Sequence, residues 1–129
     1  MNKDLKEYIE KWFLKAEHDI ITAKTLLEYK PMVLDVVCFH CQQAVEKYLK
    51  AFLVFKEKDI EKTHNLNFLQ TQCSAIDSDF NNFNFTILSE FAVDIRYPDD
   101  YLMPELNDAK EFLSIAEQVE EIVKRKVSL

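Results

Sequence analysis

The sequence predicts an all-α fold, an up-and-down antiparallel bundle of four to five helices. Apolar residues recur at steps of three and four through several long segments, which is the spacing of one helical face. Glycine is absent and there are only three prolines, so the chain lacks the residues that tight β-hairpins usually need. With 129 residues, 48% of them hydrophobic, the chain is long enough for one core, which predicts a single domain over residues 1–129.

Two long helices open the chain. The first is predicted over residues 4–29, and Lys30-Pro31 ends it because the residue before a proline is pushed away from helical geometry. The second is predicted over residues 32–56, and two long helices joined by a short turn form an antiparallel hairpin. Its apolar stripe comprises Val33, Val37, His40, Cys41, Ala44, Tyr48, Ala51, Phe52 and Phe55.

The second half of the chain contains shorter predicted helices. Residues 56–62 form a polar loop, and Thr63 is the predicted N-cap of a third helix, with His64 in the first turn. A phenylalanine-rich fourth helix is predicted over residues 82–95. The last helix follows from Pro104.

The phenylalanines of this region also predict a homodimer. They add more apolar surface than a five-helix bundle of this length needs inside, and exposed apolar surface usually marks an interface. The residues concerned are Phe80, Phe83, Phe85 and Phe91.

The formal charge of −7 excludes a broad electrostatic grip on nucleic acid, because 23 acidic residues outnumber 16 basic ones. The absence of glycine also excludes a Walker-type phosphate loop and a Rossmann fingerprint. Any nucleotide site must therefore use side chains or helix ends. A local anion site fits best in residues 47–64, which contain five lysines and three acidic residues.

No stretch is apolar for long enough to span a membrane, and the polar opening residues do not resemble a signal peptide. We therefore expect a cytoplasmic protein without a membrane partner. Cys38 and Cys41 form a C-x-x-C inside a predicted helix, away from the helix N-terminus where redox motifs lie. We interpret both as buried reduced thiols, and we expect no metal site and no cofactor.

The polar edge of the second helix allows two interpretations. It is either a solvated helix face or a site for a phosphate-bearing ligand. Lys47 and Lys50 are three residues apart and share a helical face, and His64 follows after a short loop, so these groups and Arg96 would converge on an anion. In the alternative, Arg96 pairs with a nearby acid and fixes a loop. The polar edge comprises Gln42, Gln43, Glu46, Lys47 and Lys50.

Four blocks in this order resemble the HEPN domain family, named for higher eukaryotes and prokaryotes nucleotide-binding. They are Ala16-x-x-Asp19, the run from Gln42-Gln43-Ala44 to Lys50-Ala51, Lys62-Thr63-His64-Asn65-Leu66, and Arg96-Tyr97-Pro98-Asp99. The resemblance implies a helical bundle, often dimeric, found in prokaryotes alone or beside a minimal nucleotidyltransferase. Such pairs can act as toxin and antitoxin.

The ribonuclease members of that family carry an arginine followed, four to six residues later, by a histidine. Arg96 matches the arginine, but the residues at the required spacing are Tyr101, Leu102 and Met103, and no histidine follows either arginine. The resemblance thus favours a protein that is not an enzyme.

Two functional hypotheses follow. In the first, the chain is a non-catalytic HEPN domain that binds a nucleotide, RNA or a nucleotidyltransferase partner. Its candidate binding residues are Lys47, Lys50, His64, Arg96 and Tyr97. In the alternative, the chain is a metal-independent endoribonuclease in which His64 replaces the missing histidine beside Arg96.

Overall fold

The computed structural model describes residues 1–92 and 103–129 of the chain. These residues form four α-helices and no strand, which confirms the all-α prediction. The α-helices are α1 (Lys3–Tyr29), α2 (Leu34–Phe55), α3 (Leu66–Ile76) and α4 (Leu106–Lys126), and two short 3-10 helices cover Ser78–Asn82 and Leu88–Phe91.

Helices α1 and α2 form the predicted hairpin. The side chain of Asn2 caps α1 by accepting the backbone N–H of Leu5 at 2.7 Å, and α1 ends directly before Lys30-Pro31. The ammonium group of Lys50, late in α2, lies 5.9 Å from the ring centre of Trp12, early in α1, so the two helices run antiparallel.

Helix α2 is the centre of the fold. It packs against α1, α3, α4 and the second 3-10 helix, so it is surrounded on most of its circumference. Fourteen of the 18 residues from Val37 to Val54 are buried as a result. Contacts between its neighbours close the bundle: the Lys124 ammonium of α4 binds the Glu17 carboxylate of α1 at 2.8 Å.

The predicted helix over residues 82–95 is wrong in its described part. Two short 3-10 helices and a connecting turn stand there instead, and residues 93–95 lie outside the described residues. Gln70 of α3 donates its side-chain amide to the carbonyls of Phe80 (2.7 Å) and Phe83 (2.8 Å). The Asn84 side chain accepts the backbone N–H of Thr86, a local bond that competes with helix formation.

The phenylalanines fill the core of one chain. Phe80, Phe85 and Phe91 are buried, and the partly buried Phe83 stacks on Phe85 with ring centres 5.5 Å apart. They therefore supply no surplus apolar surface for an interface. The homodimer therefore stays a prediction, but the phenylalanines no longer support it.

The third and last helices begin later than the sequence suggests. Asn65, rather than Thr63, caps α3 by accepting the backbone N–H of Phe68 at 3.1 Å. His64 consequently lies in the loop before α3 and not in its first turn. Helix α4 begins at Leu106, where Glu105 and Asp108 form a reciprocal capping box.

Candidate functional site

The polar face of α2 is unusual because much of it is buried. Four polar or charged residues are buried in the described part of the chain, and three of them are on α2. Burying a charge is costly unless it is paired and hydrogen-bonded, so their partners matter. They divide into an Asp19 cluster (Asp19, His40, Lys47) and a Glu46 cluster (Gln42, Glu46, Lys50, His64).

The Glu46 cluster is built around one carboxylate. The Lys50 ammonium donates to Glu46 Oε2 at 3.1 Å, and His64 Nδ1 donates to Glu46 Oε1 at 2.7 Å. Gln42 donates its side-chain amide to the backbone carbonyl of His64 at 3.1 Å. Because Gln42, Glu46 and Lys50 are four residues apart, they form one row along α2. This row holds both the ring and the backbone of His64.

His64 is the exposed end of this cluster. Its side chain is 64% exposed, whereas that of Glu46 is only 6% exposed. Since Nδ1 is taken by the carboxylate, Nε2 is the ring nitrogen left for another group. The residue borders a groove of about 420 Å³, lined also by Asn65, Asn67, Thr86, Ser89, Glu90 and Ala92. The arrangement can therefore hold an oriented imidazole against a polar ligand.

The Asp19 cluster joins α1 to α2 directly. His40 Nδ1 donates to Asp19 Oδ1 at 2.9 Å, and the Lys47 ammonium donates to Asp19 Oδ2 at 2.5 Å. Both donor side chains come from α2 and the acid from α1. This cluster therefore ties the two long helices together, and the ammonium of Lys47 is already paired.

The structure brings only part of the predicted site together. Lys50 and His64 meet through Glu46, whereas Lys47 binds the other carboxylate. Arg96 and Tyr97 lie outside the described residues.

Sequence reasoning missed the roles of Asp19 and His40. The motif spacing singles out Asp19 without a partner, and the helical periodicity places His40 in the apolar stripe, whereas both belong to a polar cluster. The spacing of Gln42, Glu46 and Lys50 was the signal that could have identified the row along α2.

The thiols play no part in either cluster. Cys38, Cys41 and Cys73 are free and buried, as predicted for the first two. Burial raises the pKa of Cys38 to about 12 and that of Cys73 to about 12.

The described residues contain no group of three or more His, Cys, Asp or Glu side chains able to hold a metal ion. Among the same residues, no helix is long and apolar enough to cross a membrane.

The comparisons with known proteins decide the family. A family model described as the HEPN domain matches residues 9–126, which include both polar clusters. The chain belongs to the HEPN family. The crystal structure of ST0689, an archaeal HEPN homologue, matches with a TM-score of 0.67 and 24% identity, covering 93% of this chain and 98% of that one. At this identity the match shows that the HEPN fold is shared. No curated protein matches significantly.

Proposed function

We propose that this HEPN domain binds a nucleotide or RNA, without cleaving it, in the groove beside His64. The observation that carries the proposal is the exposed His64 ring, held by the buried Glu46 carboxylate at 2.7 Å. A ring fixed in this way loses little conformational freedom on binding, so it is pre-organised for a ligand.

The groove offers the groups that a nucleotide requires. Asn65, Asn67, Thr86 and Ser89 supply amides and hydroxyls, which bind phosphate oxygens and base edges. Lys50 acts as a positioning residue in this proposal, because its ammonium is buried and balances the charge of Glu46. Lys47, Arg96 and Tyr97 are proposed as further contacts on the strength of the family motif, and a contact from Lys47 requires its ammonium to exchange Asp19 for the ligand.

A second candidate function is a metal-independent endoribonuclease. It is favoured by the bond from His64 Nδ1 to Glu46, because a carboxylate on one ring nitrogen orients the other for proton transfer. The sequence argues against this function, because the ribonuclease motif needs a histidine four to six residues after the arginine and no histidine follows Arg96.

The cellular setting is also a proposal. The family resemblance supports a homodimer or a pair with a minimal nucleotidyltransferase, acting as toxin and antitoxin. The free, buried cysteines support a cytoplasmic location, because a reducing compartment keeps thiols reduced. Co-expression of the chain with such a partner, followed by size-exclusion chromatography and light scattering, tests both forms of assembly.

Calorimetric titration at low salt with ATP, GTP and a short single-stranded RNA tests the binding proposal. We expect heat from the unmodified protein, a loss of tenfold or more in affinity for His64→Ala, and intact RNA on a denaturing gel. RNA cleavage that disappears in His64→Ala supports the endoribonuclease instead. Absence of binding and of cleavage contradicts both.

A further inference from the structure

A second groove lies on α1 and combines aromatic rings with lysines. It has a volume of about 200 Å³ and is lined by Tyr8, Lys11, Trp12 and Lys15, which share one helical face. The rings of Tyr8 and Trp12 are 6.0 Å apart at an interplanar angle of 62°, and Tyr8 is 46% exposed. Part of this aromatic surface is therefore open to a planar partner.

The lysines of this groove differ from those of the clusters. Lys11 and Lys15 are exposed, and within the described residues neither makes an ion pair or a side-chain hydrogen bond, whereas Lys47 and Lys50 are both paired with acids. Two ammonium groups that have no acidic partner among the described residues therefore flank these rings, in a protein whose net charge is −7. Such a local cationic patch fits an anionic ligand.

Trp12 connects this groove with the Glu46 cluster. Its ring centre lies 5.9 Å from the Lys50 ammonium, which binds Glu46, which in turn holds His64. Its indole N–H is buried and has no hydrogen-bond partner among the described residues, although a buried tryptophan usually has one. Trp12 therefore packs partly against the core and lies beside both the α1 groove and the Glu46 cluster.

We infer that the α1 groove holds single-stranded RNA, with one base against the rings of Tyr8 and Trp12 and its flanking phosphates at Lys11 and Lys15. The inference rests on the proposed function and specifies its ligand as a strand rather than a free nucleotide. Base stacking on aromatic side chains tolerates any sequence, and lysines beside the rings bind the backbone. The contacts from Trp12 to Lys50, Glu46 and His64 join the α1 groove to the groove beside His64. One strand therefore places a base at the first groove and a phosphate or base at the second.

Trp12 is the only tryptophan of the chain, so its fluorescence reports on this groove directly. We expect an unstructured RNA of about ten nucleotides to quench the emission of the full chain saturably, at the concentrations that raise the anisotropy of a labelled RNA. Inorganic polyphosphate, which has charge but no bases, should leave the emission unchanged. Equal quenching by an acidic peptide would indicate a protein partner and overturn the inference.

The lysines are tested by the double substitution Lys11→Gln with Lys15→Gln. We expect a loss of about tenfold or more in RNA affinity, and a salt dependence reduced by about 0.7 in log–log slope for each lost phosphate contact. The matched control is Lys6→Gln with Lys110→Gln, which removes the same charge at exposed positions outside the groove. Tyr8→Ala should weaken binding by about fivefold or more, as expected for loss of stacking.

The outcomes separate this inference from the proposed function. If RNA binds and His64→Ala weakens it, but the Trp12 emission stays constant and the lysine variant matches its control, the α1 groove is not the site. If mononucleotides bind as tightly as the RNA, the ligand is not a strand and the inference fails. If no RNA binds at all, the inference and the RNA arm of the proposed function fail together.

Discussion

The Asp19 and Glu46 clusters contain the same chemical groups in different settings. Each has one carboxylate that accepts from one lysine and one histidine. The histidine of the Asp19 cluster belongs to α2 and is 25% exposed, whereas that of the Glu46 cluster lies in the loop before α3 and is 64% exposed. The first cluster closes a helix interface, and the second connects the core with the surface.

The Asp19 cluster therefore stabilises the fold, whereas the Glu46 cluster also places a histidine at the surface, where a ligand can contact it. Lys50 is almost fully buried, so its charge depends on Glu46 for stabilisation. His64 donates to the same carboxylate, but its side chain is mostly exposed and contributes little buried surface. The comparison therefore predicts that substitutions within one cluster will have very different effects on folding.

The largest effect on stability is expected for Glu46→Ala. It leaves the Lys50 ammonium buried without its partner, which should cost about 3–5 kcal/mol of the free energy of unfolding. Urea denaturation followed by circular dichroism measures the loss. The control is Glu46→Leu combined with Lys50→Met, which removes both charges and should recover most of the stability. A loss below about 1 kcal/mol in Glu46→Ala would contradict the buried ion pair.

A smaller loss is expected for Asp19→Ala, about 1–3 kcal/mol in the same assay. Water can solvate the freed groups, because the side chains of His40 and Lys47 are partly exposed. Lys47→Met tests the same bond from the other side and should cost less than Asp19→Ala. If Asp19→Ala is more destabilising than Glu46→Ala, the contrast between the clusters is reversed.

The third-largest effect on stability is expected from the buried thiol of Cys38, on the apolar side of α2. Burial raises the pKa of Cys38 from its ordinary value of 9.0 to about 12, so the folded state holds this proton more tightly than the unfolded state. Its stabilisation is complete below pH 9 and falls as the pH rises towards 12. At pH 10 the loss should be roughly 1 kcal/mol.

Urea denaturation of the protein and of Cys38→Ala at pH 8 and pH 10 isolates this contribution. Other groups titrate in both proteins, so the difference between their pH dependences reports on Cys38. An identical pH dependence would show that the thiol is accessible to water.

The smallest effect on stability is expected for His64→Ala. The ring is mostly exposed and Glu46 keeps its bond to Lys50, so the free energy of unfolding should change by less than about 1 kcal/mol. Thermal unfolding followed by circular dichroism checks this. A loss as large as that of Glu46→Ala would make His64 a structural residue.

The bundle could be predicted because its long helices carry periodic apolar stripes and few breakers. The 82–95 segment is also rich in apolar residues, but the side chains of Asn84 and Gln70 bind backbone groups of Thr86 and Phe83 outside an α-helix. Periodicity does not reveal such competing bonds, so it predicts a helix there.

The candidate site could be predicted only in part. Gln42, Glu46 and Lys50 follow the spacing of a helical row, which is visible in the sequence. The bond from Lys47 to Asp19 spans 28 residues, and no local spacing rule indicates it. Lys47 and Lys50 share a helical face, yet each ammonium takes the carboxylate nearest to it in the folded chain.

The most direct test of the account measures stability and RNA affinity on the same sample of His64→Ala. The account predicts unfolding within about 1 kcal/mol of the unmodified protein together with an affinity for single-stranded RNA reduced by tenfold or more. Unchanged affinity in a folded His64→Ala variant would contradict the claim that the Glu46 cluster orients His64 for a ligand.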